Sequence, residues 1–384
     1  MHVAVGKTAL QIIRAIRHHD LAVDLQAGAH AACDAPRRTL ADALGTRKIE
    51  VNSHIDLHRF GSVGTFGPGN PLALGVLTQN QRQHRSSLMT RILVKDLPGE
   101  AIIIVSPTLA IACPELCVMQ LASELDPLKL TLVIMELCGT YAPHPSPADA
   151  LGPTCHYDAE PVMSLESLAW YAAHVRIRGG RKALTWALDR AMEGAASAAE
   201  ARMALIMSLP AEEGGYGFDK PTLNHRIDVP DSAHKDVGKD TYYLDAFWPA
   251  AMADLECEST EFHLSPEATL ALARVRDASA DEISEFPSLQ QAQQWRRSLI
   301  TKADADRRRL RDLQYLGILV IPVTSFDLAS PSRMDQVAAA LARRQAAMAG
   351  TPCDDLREAW EAPSSASARI DLFDKLAPKY HRAT

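Results

Sequence analysis

Cysteine, aromatic residues and excess positive charge are all scarce in this sequence. Its 384 residues include seven cysteines, an odd number without regular spacing, and 5% aromatic residues. Cys113 and Cys117 are four residues apart and Cys155 precedes His156, but neither pair has a second ligand pair at zinc-finger spacing. This pattern argues against a disulfide scaffold and a zinc finger, and it predicts buried, reduced thiols. A formal net charge of -7 provides no global attraction to nucleic acid or to anionic membranes.

Long apolar runs are missing as well. The most apolar stretch, Ala101–Leu121, is interrupted by two prolines, a serine and a glutamate, so it is not typical of a membrane span. The chain begins without a charged and then apolar signal peptide, and we therefore expect a cytoplasmic location and no membrane partner. Hydrophobic residues make up 47% of the sequence, which is enough for packed cores, and the length is ordinary for two domains.

Periodicity predicts an α/β protein with mixed α+β sheets and two domains. We assign residues 1–160 to an N-terminal α/β domain of unknown role, 161–348 to a second domain and 349–384 to a C-terminal tail. The proline-rich stretch 141–161 is the predicted linker, and Ala101–Val105 is a predicted buried strand. The predicted helices are Lys7–Arg17, Pro114–Leu125, Pro127–Cys138, Ser164–Val175, Lys182–Glu193, Arg202–Leu209, Ala292–Leu316 and Met334–Met348.

Residues 241–258 predict a β-hairpin whose strands carry carboxylates. A turn at Pro249 places Asp245 directly opposite Glu256. Glu258 is two residues further along its strand and points to the same face. Like charges on one face destabilise a sheet unless a cation compensates them, and Mg²⁺ is typically held by one or two carboxylates with water and substrate phosphates. The alternative is an acidic, solvated sheet edge.

Several short motifs follow one another between residues 197 and 324. They are a helix start with Ser197 and Glu200, a strand ending in Asp245, the strand Leu255-Glu256-Cys257-Glu258-Ser259 followed by His263, the helix segment Asp306-Arg307-Arg308-Arg309, and the strand Val320–Thr324. This order resembles the restriction-endonuclease-like PD-(D/E)XK superfamily, and within it the very-short-patch-repair and DUF559-type endonucleases. The resemblance implies a restriction-endonuclease-like second domain that hydrolyses DNA with Mg²⁺. It implies Asp245 and Glu256 as metal ligands and a catalytic set of Asp245, Glu256, Glu258, His263 and Glu200.

Three members of this set have structural alternatives. Glu200 fits a capping box with Ser197, in which the glutamate returns a hydrogen bond to the helix start. Glu258 also fits an exposed strand position. His263 is a candidate general acid or base, but a single histidine on a loop often has no catalytic role. The lysine that usually follows the second acidic residue of the superfamily is missing, and His263 or Lys302 is the candidate replacement.

A basic helix follows the hairpin in the sequence. Residues 296–311 contain seven basic and two acidic residues, although the whole chain is acidic. We predict contacts with nucleic-acid phosphates. The alternative is a solvated helix face with ion pairs between residues four positions apart. The predicted nucleic-acid-binding residues are Lys302, Arg307, Arg308 and Arg309.

The stretches CPELCVMQLASEL, MELCGTY and GGYGFDKPTLNHRI carry a second resemblance, to bacterial proteins labelled as abortive-infection type IV antitoxins. Our leading prediction is a Mg²⁺-dependent endonuclease that acts on DNA in defence or repair. The alternative is a catalytically inactive regulator that binds nucleic acid or a partner protein. Asn224 and His225 are further candidates for the border of the site. The sequence leaves the oligomeric state open.

Overall fold

The computed structural model describes residues 1–19, 21–26, 38–39, 66–93, 96–98, 101–145, 155–176, 179–258, 300–301, 304–350 and 354–377. The chain divides into a first unit, Met1–Leu205 with Leu376–Thr384, and a second unit, Ile206–Lys375. Both units combine helices with β-sheet, so the predicted α/β class is confirmed. Among the described helices, none has both the length and the apolar character that a membrane crossing needs.

A six-stranded mixed sheet organises the first unit. The strands of this unit are β1 His2–Ala4, β2 Arg38–Thr39, β3 Leu72–Val76, β4 His84–Arg85, β5 Leu88–Ile92, β6 Asp96–Leu97, β7 Ile102–Ser106, β8 Leu109–Ala112, β9 Tyr141–Pro143 and β10 Cys155–Tyr157. The large sheet has the order β4-β5-β3-β1-β8-β7, while β2 pairs with β6 and β9 with β10. The strand predicted at 101–105 is β7, which lies at the end of this order and leaves Ile104 exposed.

Five helices of the first unit begin within one residue of their predicted starts, and the sixth, α6, begins four residues before the predicted Arg202. They are α1 Gly6–His18, α2 Pro114–Leu121, α3 Pro127–Leu137, α4 Leu165–His174, α5 Arg181–Arg190 and α6 Ala198–Ser208, the last of which contains the boundary between the units. Proline occupies the first position of α2 and of α3, where its missing N–H costs no hydrogen bond. A buried ion pair joins α1 to α3, because Arg14 donates to both carboxylate oxygens of Glu136 at 2.8 and 2.5 Å.

The predicted boundary at residue 160 lies inside the first unit. Helix α4 packs against α2, and α5 packs against α3, so both helices share the core of the preceding residues. The predicted linker also contains structure, because β9 and β10 form an antiparallel pair. Periodicity identified these helices correctly, but it does not tell which neighbouring surface buries them.

The second unit contains a four-stranded sheet in chain order. Its strands are β11 Thr222–Asp228, β12 Thr241–Trp248, β13 Ala253–Glu258 and β14 Leu319–Thr324. The first three are antiparallel, whereas β14 runs parallel to β13 and therefore needs a crossover. Residues 304–315 of that crossover form helix α7, whose Leu313 packs with Tyr242 and Leu244 of β12. Pro322 lies on β14, which is an edge strand of this sheet. An edge strand is expected for proline, because its missing N–H cannot bond a neighbouring strand.

The predicted tail forms helices of the second unit. The remaining helices are α8 Ser325–Leu328, α9 Pro331–Ala349, α10 Asp354–Glu361 and α11 Pro363–Leu376. Trp360 of α10 is buried against Tyr216, with ring centroids 5.5 Å apart. Arg369 of α11 donates to Asp335 of α9 at 2.9 Å. An aromatic anchor and a buried cation therefore tie residues 354–375 to this unit, which weak periodicity did not predict.

Candidate active site

The hairpin β12–β13 has the register that the sequence predicts. Pro249–Ala251 form a single 3-10 turn between the strands. Ala246 pairs with Leu255 across the hairpin. Asp245 and Glu256 are the next residues beyond this last pair of the ladder, and Oδ2 of Asp245 accepts from the N–H of Cys257. The two carboxylates are thus neighbours on adjacent strands at the open end of the hairpin.

Each of these carboxylates has a specific partner. Oδ2 of Asp245 accepts a hydrogen bond of 2.8 Å from the backbone N–H of Cys257. Oε2 of Glu256 accepts one of 2.7 Å from Nη2 of Arg309 on α7, and the same nitrogen donates to the carbonyl of Tyr243. The backbone therefore orients Asp245, whereas a charged side chain from the crossover helix orients Glu256.

A third carboxylate, Asp254, completes the arrangement and was missed in the sequence. Its side chain is fully buried, and Oδ1 accepts a hydrogen bond of 3.0 Å from the N–H of Ala246. Burial, the charge of Glu256, a hydrogen bond to Glu256 and the charge of Asp245 together raise the pKa of Asp254 to about 9. These surroundings favour the protonated form of Asp254. The signal was present, because Asp254 is two residues before Glu256 and shares its face by alternation.

Arg309 compensates the negative charge of this group. We call Asp245, Asp254, Glu256 and Arg309 the carboxylate–arginine cluster. Burial opposes the charged form of Arg309, but the hydrogen bond and charge of Glu256 and the charges of Asp245 and Asp254 outweigh it, so the pKa of Arg309 is raised. The sequence predicted that a metal ion compensates these carboxylates. For Glu256, the compensating cation is instead Arg309, 53 residues away in the sequence.

Two other predicted carboxylates have simpler surroundings. Glu200 follows the capping-box alternative, because its N–H donates to Ser197 Oγ at 3.1 Å and its Oε2 accepts from the N–H of Ala196 at 2.8 Å. Glu258 is exposed at the last position of β13. The structure therefore adds neither residue to the carboxylate–arginine cluster.

The predicted nucleic-acid-binding residues separate into three groups. His263, the candidate acid or base, and Lys302 lie outside the described residues. Arg309 belongs to the cluster. Arg307 and Arg308 are exposed on α7, and Arg308 pairs with Asp304 one turn earlier at 2.5 Å. That ion pair fits the alternative interpretation of a solvated helix face. Exposed pairs of this kind contribute little to stability.

Strand β11 borders the cluster through a distorted residue. Asn224 has a φ of 48°, in the left-handed region that asparagine tolerates better than most residues. The pairing of β11 with β12 places it opposite Asp245, between the registered pairs Leu223–Ala246 and His225–Leu244. Uncommon backbone conformations of this kind concentrate at functional sites.

The residues present are compatible with Mg²⁺. In the described part of the chain, no group of three or more His, Cys, Asp or Glu side chains is arranged to hold a metal ion. Mg²⁺ does not require such a group, because one or two carboxylates with water and phosphate oxygens are sufficient. Asp245 and Glu256 provide two carboxylates, and the side chain of Asp254 is buried beside them. Coordination by Glu256 would require it to release Arg309.

Comparison with protein-family models, with curated proteins and with solved structures finds no match to this chain. Function is therefore inferred from the carboxylate–arginine cluster and its surroundings.

Proposed function

We propose that the second unit hydrolyses DNA phosphodiester bonds with a divalent cation held by Asp245 and Glu256. The observation that carries this proposal is the end of the hairpin ladder, where Asp245 and Glu256 follow the last pair and both act on Arg309, which bonds Glu256. Two acidic oxygen donors next to a guanidinium can accommodate both a hard cation and a phosphate.

The order of elements supports the same proposal. Helix α6 precedes three antiparallel strands, α7 crosses over, and β14 returns parallel to β13. This is the order of helix, strand, hairpin, basic helix and strand on which the resemblance to PD-(D/E)XK endonucleases rests. Fold kinship alone does not establish activity, so the proposal depends on the site.

The side chains have distinct roles in this proposal. Asp245 is held in place by the Cys257 N–H and is ready to bind a cation without rearrangement. Glu256 would hold the cation together with Asp245, and Arg309 would then be available to bind a phosphate oxygen. Mg²⁺, when bound, would supply Lewis-acid polarisation of the phosphate and a more acidic water. The protonated form of Asp254, which its surroundings favour, adds no charge and can donate a hydrogen bond to Glu256.

A second candidate function is a catalytically inactive regulator, similar to an antitoxin, that binds DNA or a partner protein. The ion pair between Glu256 and Arg309 favours it, because a satisfied carboxylate is a poorer metal ligand. The missing lysine favours it as well, since that residue positions or deprotonates the attacking water in active relatives of the superfamily.

A nicking assay on plasmid DNA with and without Mg²⁺ separates these functions. Asp245→Asn should abolish nicking and leave the fold intact, because the amide oxygen can still accept from the Cys257 N–H. Without Mg²⁺ the variant should melt at the same or a higher temperature than wild type, since one repulsive charge is removed. With Mg²⁺ it should gain less stability than wild type.

The matched control is Asp231→Asn, which neutralises an exposed carboxylate in the loop after β11. It should nick DNA and respond to Mg²⁺ as wild type does. Equal Mg²⁺-induced stabilisation of wild type and Asp245→Asn would show that the cation binds elsewhere. Wild type without nicking and without a Mg²⁺ response would favour the regulator.

A further inference from the structure

An exposed aromatic ring lies beside the carboxylate–arginine cluster. Tyr243 on β12 is 50% exposed, whereas its neighbours Tyr242 and Leu244 are buried. This alternation puts Tyr243 on the same less buried face as Asp245, two residues and about 7 Å along the strand. Arg309 donates to the carbonyl of Tyr243, so one guanidinium fixes both the backbone under this ring and the carboxylate of Glu256.

A basic side chain flanks the ring. Arg226 on β11 is paired with Tyr243 across the strands, and its side chain is 59% exposed. Its ion pair with Asp228, at 2.8 Å, is exposed on both sides and is therefore easily exchanged for a phosphate. Arg226 is therefore an exposed cation beside the aromatic face of Tyr243.

We propose that Tyr243 stacks on an unpaired base and that Arg226 contacts a flanking phosphate, so that the site takes single-stranded DNA in preference to duplex. This inference rests on the proposed function of the carboxylate–arginine cluster. An exposed ring next to an exposed arginine suits single strands, because stacking needs a free base face and tolerates any sequence. The bases of a regular duplex already stack on one another and expose no such face.

Fluorescence anisotropy tests the inference with a labelled oligonucleotide, used as a single strand and as a duplex of the same sequence. Mg²⁺ is left out, so that binding is measured without cleavage. Wild type should bind the single strand more tightly. Tyr243→Ala should weaken single-strand binding by about 5- to 150-fold, the range for loss of one stacked base, with little effect on duplex binding. Tyr243→Phe retains the ring and should bind as wild type does.

The matched control is Tyr315→Ala. Tyr315 is 59% exposed near the C-terminal end of α7, and its hydroxyl donates to Asp236, so the substitution removes an equally exposed ring away from the cluster. It should leave binding unchanged. Thermal melting of each variant confirms folding, which we expect because Tyr243 is half exposed and every substitution retains its carbonyl.

The outcomes separate this inference from the proposed function. Selective, Tyr243-dependent binding of single strands in a protein that never nicks DNA would support the inference and refute hydrolysis. Mg²⁺-dependent nicking with unaltered single-strand binding by Tyr243→Ala would refute the inference and leave hydrolysis standing. A preference for duplex DNA would also overturn the inference. So would the absence of binding to either DNA, which would favour a protein partner on this face instead.

Discussion

Replacing Arg309 by glutamine should change metal and DNA affinity in opposite directions. Nη2 of Arg309 bonds Oε2 of Glu256 at 2.7 Å, and the two side chains are only 22% and 24% exposed. A charge-assisted hydrogen bond contributes roughly 1.5–3 kcal/mol, which partial exposure reduces to about 1–2 kcal/mol. Wild type loses this free energy when Glu256 binds a cation. Without Arg309 that cost disappears, and Mg²⁺ should bind about 5- to 30-fold more tightly.

Isothermal titration calorimetry with Mg²⁺ measures the first effect, and anisotropy over a range of salt concentrations measures the second. DNA binding should weaken, and the slope of log affinity against log salt should fall by roughly one for the lost phosphate contact. Arg308→Gln is the matched control for Mg²⁺ binding. It removes the same charge at the neighbouring residue, where it breaks an exposed ion pair with Asp304. Unchanged or weaker Mg²⁺ binding by Arg309→Gln would refute competition between the guanidinium and the cation.

Two further predictions concern buried charges of the first unit. Arg14→Met leaves Glu136 buried without its bidentate partner. This should lower the free energy of unfolding by about 3–5 kcal/mol and the melting temperature by roughly 6–20 °C. A loss below about 1 kcal/mol in urea unfolding would contradict the buried pair. Burial raises the folded-state pKa of Glu115, so the stability of wild type should fall as pH rises above the unfolded-state pKa of about 4.3. Glu115→Gln should lack this pH-dependent loss of stability and should melt at a higher temperature than wild type at pH 7. Parallel stability–pH profiles of the two proteins would exclude a raised pKa.

The hairpin shows how much of the site local sequence determines. A proline turn and two-residue alternation are enough to predict the register of β12 against β13, as the pair of Ala246 with Leu255 shows. The same alternation places Asp254 on the face of Glu256, two residues earlier on the strand. The capping role of Glu200 is equally local and was among the alternatives that the sequence offered.

Contacts between distant segments explain what the sequence did not provide. The partner of Glu256 lies on the crossover helix, and nothing in the composition of that basic helix distinguishes Arg309 from Arg307 or Arg308. Only the packing of α7 against β12 selects it. The unit boundary failed for the same reason, because an amphipathic helix predicts that one face is buried but not the surface that buries it.

The charges of the carboxylate–arginine cluster connect the proposed roles. Apart from Asp254, whose raised pKa favours its protonated form, the formal charges of Asp245, Glu256 and Arg309 leave one net negative charge. A divalent cation alone would reverse this to one net positive charge, and a phosphodiester alone would increase the negative charge. Together they leave the cluster at its original balance, so each should favour binding of the other. Arg309 has no carboxylate left to neutralise once the cation holds Glu256, and the phosphate is then its natural partner.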